Sequence, residues 1–89
     1  MYKWERSDKL KNILKKLFKK DKVRYEVTLK KINEVINSNP NHYKNLSHSM
    51  KGFRRVHIDS HFVLIFKVDE RRKLIRFEDL QHHDHIYRR

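Results

Sequence analysis

The sequence predicts an α+β fold in which a helical hairpin packs on a small antiparallel sheet, in the order β-α-α-β-β-β. Two observations predict it. Apolar residues recur at helical spacing in the first half of the chain, and alternating or continuous apolar runs fill the second half. A chain of 89 residues has room for one hydrophobic core, so residues 1–89 are expected to form a single domain. The helices and the sheet then bury each other's apolar faces.

The first half predicts a short strand followed by two helices. Polarity alternates over residues 2–5, as in a strand with one buried face. Ser7 is placed to cap a helix over about residues 8–20, and Asp21 to cap a second helix that ends before Pro40. The apolar positions lie three or four residues apart: Leu10, Ile13, Leu14, Leu17 and Phe18 in the first helix, and Tyr25, Leu29, Ile32 and Ile36 in the second.

The second half predicts a polar loop and three strands. The loop covers residues 41–52, and the strands cover residues 53–58, 62–66 and 74–78. The middle strand is a continuous apolar run, which is typical of a central strand covered on both faces. A polar turn at residues 69–72 joins the last two strands. The helices cover one face of this sheet. The other face carries Arg55, His57 and their neighbours, so we expect function to lie there.

The charge balance favours an anionic partner. Lys and Arg number 23 and Asp and Glu number 11, which gives a net charge of +12. Such a chain is attracted to a polyanion or to an acidic protein. The absence of Cys excludes disulfides and thiolate metal sites, and no stretch is apolar enough to span a bilayer or to act as a signal peptide. We therefore expect a cytoplasmic protein with no membrane partner.

Seven histidines supply candidate catalytic groups. If the last segment returns to the sheet, His57, His61 and His83 meet on one face. One imidazole can then take the proton of a ribose 2′-OH while another protonates the leaving 5′-oxygen, and an arginine stabilises the charge on phosphorus. An ordinary imidazole pKa of about 6.5 allows both protonation states. The alternatives are surface histidines without a role, and a metal site, which the strand spacing of His57 and His61 disfavours.

Lysines on the outer face of the first helix form one basic group. Residues 1–31 hold 12 Lys and Arg against 4 Asp and Glu. This face is either a solvated surface or an attachment site for structured RNA. Its candidate RNA-binding residues are Lys15, Lys16 and Lys19.

A second basic group accompanies aromatic residues in the second half. Basic side chains beside aromatic rings suit phosphate contact together with base stacking. We expect Phe53 and Phe77 to be core residues, and Phe62 and Tyr87 to be the stacking candidates. The basic residues are Lys51, Arg54, Arg55, Lys67 and Arg76.

Three segments resemble the RelE/ParE toxin superfamily, and within it the YafQ-like and archaeal RelE-like mRNA interferases. They are residues 50–58, 62–68 and 82–87, in an element order that matches the RelE-like microbial ribonuclease fold. YafQ-like toxins carry a His after the Lys-Gly turn, an aromatic residue that opens the next strand, and a late His followed by an aromatic residue. The corresponding residues are His57, Phe62, His83 and Tyr87.

The resemblance implies an endoribonuclease that cuts messenger RNA in the ribosomal A site without a cofactor. It implies that His57 and His83 are the general acid and base and that Phe62 stacks on a base. Cationic residues would bind phosphates and stabilise the transition state: Lys51, Arg54, Arg55 and Arg76. It also implies an acidic, RelB-like antitoxin that neutralises the toxin in a hetero-oligomer.

The chain departs from the family at three positions. His61 stands where the YafQ branch has an acid, Val63 where the RelE branch has an arginine, and Lys44 where some members have another histidine. His61 could replace the missing acid as a base or an orienting group. Two alternatives stay open: a ParE-like toxin that binds DNA gyrase, and a basic nucleic-acid-binding module.

Overall fold

The computed structural model describes residues 2–45 and 52–84 and confirms the order of elements. The second helix is followed by a 3₁₀ turn at Pro40–His42. The last strand is longer than predicted, because its pairing continues into the histidine-rich segment. The elements are β1 (Lys3–Arg6), α1 (Asp8–Lys20), α2 (Lys22–Ile36), β2 (Phe53–His57), β3 (Phe62–Asp69) and β4 (Leu74–His82).

The four strands form a sheet in the order β1-β4-β3-β2. Strands β2, β3 and β4 make the predicted antiparallel meander. Strand β1 pairs with β4 in parallel, with Trp4 opposite Ile75, so the complete sheet is mixed rather than antiparallel. Parallel pairing needs a long crossover, and the segment from α1 to β3 supplies it. The alternation of polarity predicted β1 but carried no information on its partner.

The predicted caps start both helices. Ser7 Oγ accepts a hydrogen bond from the backbone N–H of Leu10 at 3.0 Å and donates one to the carbonyl of Glu78 at 2.6 Å, which ties α1 to β4. Asp21 alone separates the two helices and accepts a bond from the N–H of Arg24 at 3.1 Å. The resulting hairpin packs over one face of the sheet.

The core lies between the hairpin and the sheet, and it corrects one position in α2. Leu29 was predicted to be buried but is 37% exposed, whereas Thr28 is fully buried. Thr28 Oγ1 donates to the carbonyl of Arg24 at 2.7 Å, which satisfies its polar atom inside the core. The principal core residues are Leu10, Leu14, Ile32, Val35, Ile58, Leu64, Phe66, Ile75, Phe77 and Leu80. Neither α1 nor α2 has the length and apolar character that a membrane crossing requires.

Glu70 connects three separate parts of the fold. Its carboxylate accepts hydrogen bonds from the hydroxyl of Tyr2 at 2.5 Å, from Nδ2 of Asn41 at 2.6 Å and from Nζ of Lys73 at 2.9 Å. The hydrogen bond from Tyr2 is the main reason why the pKa of Glu70 falls to about 2. The ionised carboxylate therefore ties the start of the chain and the 3₁₀ turn to the β3–β4 connection.

Replacing Glu70 by Gln should lower the melting temperature at pH 6. Stability from the ionised carboxylate is fully present above its ordinary pKa of 4.5 and is lost as the pH falls through about 2. The difference in melting temperature between the parent and E70Q should therefore shrink steadily between pH 5 and pH 2. Thermal melts followed by circular dichroism measure it, with Glu26→Gln on the exposed side of α2 as the matched control. Equal melting temperatures for E70Q and the parent at pH 6 would contradict the prediction.

Candidate catalytic site

The sheet face opposite the helices presents a basic and aromatic surface, which we call the open face. Side chains alternate along β2, so Phe53, Arg55 and His57 share this face. Beneath them, Val63 and Ile65 of β3 form a second, smaller apolar cluster. Both are almost completely buried, which confirms that β3 is covered on its two faces. The open face therefore has a packed floor that can hold its functional side chains in place.

His57 and His83 meet on the open face. Their ring centroids lie 5.7 Å apart and the ring planes are inclined by 31°. The backbone N–H of His83 donates to the carbonyl of His61 at 2.6 Å, which extends the β3–β4 pairing past the end of β4. His57 is exposed and His83 is partly exposed, so an RNA phosphate can reach both rings. At this separation both rings can be within hydrogen-bond reach of one phosphodiester group.

Two cationic side chains accompany the imidazoles on this face. Arg55 lies two residues before His57 on β2, and its Nε donates to the carbonyl of Asn45 at 3.3 Å. Lys67 lies opposite Phe53 in the register, with Nζ 5.3 Å from the centre of the aromatic ring. A guanidinium and an ammonium on one exposed sheet face favour the binding of an anion.

One carboxylate lies in the same cross-strand row as Arg55. Asp79 pairs in the register with Ile65, which pairs in turn with Arg55. The positive charge of Lys9 neutralises the carboxylate of Asp79. Lys9 reaches it from α1 with Nζ 2.9 Å from Oδ2, and Nε2 of Gln81 donates to the same oxygen. Lys9 therefore offsets the negative charge of Asp79 in the row that contains Arg55.

His61 does not join His57 and His83. Its ring instead packs against His82, with the centroids 5.9 Å apart, and its Nδ1 lies 2.8 Å from Oγ of Ser60. The expected group of three histidines is thus replaced by two separate pairs. The pleat of the sheet directs the adjacent side chains of His82 and His83 to opposite sides. His61 lies in the bend before β3, where strand alternation does not set the direction of its ring.

Phe62 also lies apart from the His57–His83 pair. Its ring packs edge-on against His82 at 5.3 Å, and the guanidinium of Arg24 covers it at 4.1 Å. Asp59 holds Arg24 through Nε at 3.3 Å. The backbone N–H of His61 donates to Asp59 and lowers the pKa of that carboxyl. The predicted stacking ring is therefore already engaged by neighbouring residues on the helix side of the sheet.

The guanidinium of Arg54 is not on the open face. Arg54 pairs in register with the core residue Phe66, so its side chain leaves the sheet on the helix side. Its Nη1 donates to the carbonyl of Tyr43 at 2.8 Å and its Nη2 to Oδ1 of Asn41 at 3.1 Å. Arg54 therefore fastens the 3₁₀ turn to β2, a structural role that the expectation of phosphate binding did not include.

The remaining predicted site residues fall into three groups. Arg76 forms ion pairs with Glu5 and Glu78, which raise its pKa. Gln81 lies in the same cross-strand row as His57. Arg76 is five residues from Gln81 along β4, so it lies on the order of 15 Å from the imidazole pair. The candidates at Lys51 and Tyr87 lie outside the described residues. The three candidate RNA-binding lysines of α1 are exposed on the outside of the hairpin: Lys15, Lys16 and Lys19.

Phe53 is a further residue whose place differs from the one expected from the sequence. It was expected in the core, but it is only partly buried and packs on the Val63–Ile65 cluster of the open face. The signal was present in the alternation of β2, which puts Phe53 on the same side as Arg55 and His57. Its ring, together with Lys67, is a stronger stacking candidate than Phe62.

The chemistry that this arrangement supports is proton transfer beside a phosphate. Within residues 2–45 and 52–84, no three His, Asp or Glu side chains form a group that could hold a metal ion. The imidazole pair can both accept and donate a proton, and the neighbouring cations can stabilise an anionic transition state. The open face thus combines two imidazoles and cations that could carry out acid–base chemistry on an anionic ligand.

Solved structures of bacterial toxins share this fold. The chain matches YafQ from *E. coli* strain BL21(DE3) with a TM-score of 0.68 and 25% identity, covering 98% of this chain and 99% of that one. It matches a chain of the *E. coli* DinJ–YafQ toxin–antitoxin complex with a TM-score of 0.66 and 26% identity, covering 97% of each. A metal-bound toxin from *Helicobacter pylori* shares the fold alone, with a TM-score of 0.75 and 22% identity over 98% of this chain and all of that one. The fold is thus that of the small YafQ/RelE-like toxins.

Relatives from archaea identify the family. The toxin candidate RelE4 of *Methanocaldococcus jannaschii* is 51% identical over 89 residues, which is all of this chain and 94% of that protein. An uncharacterised protein of *Methanosarcina mazei* is 49% identical over 72 residues, covering 81% of this chain and 83% of that protein. No protein-family model matches the chain. The chain belongs to the RelE toxin family, which confirms the resemblance seen in the sequence.

Proposed function

We propose that this toxin is a ribosome-dependent endoribonuclease that cuts messenger RNA in the ribosomal A site. The observation that carries the proposal is the His57–His83 pair, with ring centroids 5.7 Å apart on an exposed sheet face that also carries Arg55. RNA carries its own nucleophile in the 2′-OH, so the enzyme needs only to move protons and stabilise charge. Two imidazoles beside Arg55 are sufficient for that task.

The reaction is a transesterification in which each imidazole carries one proton. One ring takes the proton of the ribose 2′-OH while that oxygen bonds to the adjacent phosphorus. The other ring gives its proton to the 5′-oxygen as the bond from phosphorus to that oxygen breaks, which leaves a 2′,3′-cyclic phosphate and a free 5′-OH. Arg55 stabilises the negative charge that builds up on the phosphate oxygens, and Lys67, farther along the same face, binds a neighbouring phosphate of the message. No metal ion takes part in this mechanism.

Attachment to the ribosome follows from the charge distribution. The chain carries a net charge of +12, and the exposed lysines of α1 lie on the hairpin, away from the open face. Lys16 and its neighbours on α1 can contact ribosomal RNA while the open face receives the message. Because its target is the translating ribosome, the toxin acts in the cytoplasm.

A neutralising antitoxin completes the proposed system. The structural relative YafQ has been solved in complex with DinJ, as a toxin–antitoxin complex. A +12 nuclease needs a partner that masks its cationic surface in its own cell. The partner that fits is an acidic, RelB-like protein that forms a hetero-oligomer with the toxin.

Cleavage of a message on translating ribosomes tests the proposed activity. Purified toxin should produce cuts at A-site codons, mapped by primer extension, and should leave the same RNA intact when ribosomes are absent. The H83A variant should give much weaker cuts in the same reaction time. Intact messages together with inhibited supercoiling by DNA gyrase would refute the proposal and favour a ParE-like toxin.

A further inference from the structure

A buried carboxylate lies one cross-strand row away from the imidazole pair, and the proposed reaction does not use it. Asp79 is only 7% exposed, and both of its oxygens are engaged. Oδ1 accepts a hydrogen bond from the backbone N–H of Leu80 at 2.8 Å. Oδ2 accepts one from Nζ of Lys9 at 2.9 Å and another from Nε2 of Gln81. The carboxylate is therefore held from three directions, and its influence on the open face passes through Gln81.

Gln81 lies on the open face beside the imidazole pair. It pairs in the register with Val63, which pairs in turn with His57. His83 follows two residues later, about 7 Å along the chain, and side chains two residues apart on an extended strand share a face. Gln81 is partly exposed, so it is accessible to a ligand that reaches the two rings.

The contact with Asp79 fixes the orientation of the Gln81 amide. A carboxylate can only accept hydrogen bonds, so Gln81 must turn its NH₂ group towards Asp79 and its Oε1 away from it. Among residues 2–45 and 52–84, Oε1 of Gln81 accepts no hydrogen bond, and no buried side-chain nitrogen or oxygen is left without a partner. Oε1 is therefore in contact with solvent. Gln81 thus presents a hydrogen-bond acceptor of fixed orientation next to the imidazoles.

We propose that Gln81 selects the nucleotide at the cut, by accepting a hydrogen bond from the exocyclic amino group of an adenine or a cytosine. This role rests on the proposed function, because it requires RNA to lie across the imidazole pair. Guanine and uracil carry a carbonyl oxygen where adenine and cytosine carry the amino group. Two oxygens would then face each other with no proton between them, so these bases bind less well. Gln81 is the specificity-determining residue, and Lys9 and Asp79 are the positioning residues behind it.

The acceptor character of Oε1 favours a base over a phosphate as its partner. A phosphodiester has oxygens and no donor, so a phosphate would be repelled by Oε1 and attracted to Arg55. The other donor that RNA offers is the ribose 2′-OH, which every nucleotide carries. A hydrogen bond from the 2′-OH would affect cleavage at all four bases equally. Base preference therefore distinguishes the two partners of Gln81.

Cleavage of two messages that differ in one atom group tests this role. The messages carry adenosine or inosine at the nucleotide on the 5′ side of the cut, so that a carbonyl replaces the amino group and the rest of the codon is identical. Single-turnover rates on programmed ribosomes should be about tenfold higher for adenosine with the parent toxin. Gln81→Met, which has a side chain of similar length without the amide, should cut both messages at the rate at which the parent cuts the inosine message.

Variants behind Gln81 test the positioning by Asp79 and Lys9. Asp79→Asn introduces an NH₂ group that can donate to Oε1 and turn the amide over, so D79N should cut the inosine message at least as fast as the adenosine message. Lys9→Met should lower the adenosine preference about threefold or more. The same substitution at Lys30, on the exposed side of α2, should leave the preference unchanged. Because the side chain of Lys9 is 64% exposed, K9M should fold like the parent even if D79N does not.

Three results would overturn the role of Gln81. The first is a parent toxin that cuts the two messages at equal rates, and the second is an unchanged preference in Q81M. The third is a Q81M variant that slows both messages by the same factor, which would assign Gln81 to the 2′-OH or to the fold. A parent toxin that cuts neither message would instead refute the proposed nuclease, and the selection of a base would fall with it.

Discussion

Replacing His83 by Ala should slow ribosome-dependent cleavage by about 10²–10⁴-fold, the usual contribution of one general acid or base. His57→Ala should cost a similar factor, because each imidazole carries one of the two proton transfers. The double variant should be little worse than either single variant, since the two groups act as a unit. Single-turnover cleavage rates on programmed ribosomes measure these effects.

His61→Ala is the matched control for this prediction. His61 belongs to the second imidazole pair, with its ring 5.9 Å from His82 and on a different part of the surface from His57 and His83. Its removal should leave the cleavage rate close to that of the parent. A loss as large as that of H83A would mean that the second pair performs the chemistry and that the open face does not.

The pH dependence of cleavage gives an independent check of the two roles. The parent should show a bell-shaped profile, because low pH protonates the base and high pH deprotonates the acid. H57A and H83A should each lose one limb of the bell, and the limb that disappears assigns acid or base to that residue. Profiles of unchanged shape in both variants would contradict proton transfer by this pair.

Phe77→Ala should lower the free energy of unfolding by about 3–5 kcal/mol, the range for removal of a buried aromatic ring. Phe77 is completely buried, with its ring 5.8 Å from that of Phe66 and 6.2 Å from that of Trp4. Small domains have a total stability of only about 5–15 kcal/mol, so F77A should be close to unfolding or unfolded at 37 °C. Urea denaturation followed by circular dichroism measures the change.

The chain offers a matched control in Phe18, the same substitution at a half-exposed position. F18A should lower the free energy of unfolding by about 1 kcal/mol or less, because less apolar surface leaves the protein interior. Comparable losses in F77A and F18A would show that the ring of Phe77 is not the centre of the core.

Most of the fold could be predicted because its signals are local. Ser7 and Asp21 begin helices in the structure as their side-chain chemistry predicts, and the run at residues 62–66 lies in the central strand β3. Periodicity failed at Leu29, where hydrophobicity alone cannot foresee that the hydroxyl of Thr28 finds an acceptor within its own helix.

The candidate site was predictable in part, for a different reason. Alternation along β2 placed His57 and Arg55 on one face, and the structure brings His83 to that face as expected. The assignment of His61 failed because this residue lies in the bend that precedes β3, where alternation does not set the direction of a side chain. Its ring packs against His82, and His83 meets His57 without it.

The amino-acid sequence by itself determined the element order, the helix caps, the cationic character and the family, because all of these depend on neighbouring residues or on composition. The tertiary structure alone decided that β1 lies parallel to β4, that the histidines form two pairs, and that Arg24 covers the ring of Phe62. These features arise from contacts between residues far apart in the chain. A shift of one residue in strand register would send the side chains of that strand to the opposite face.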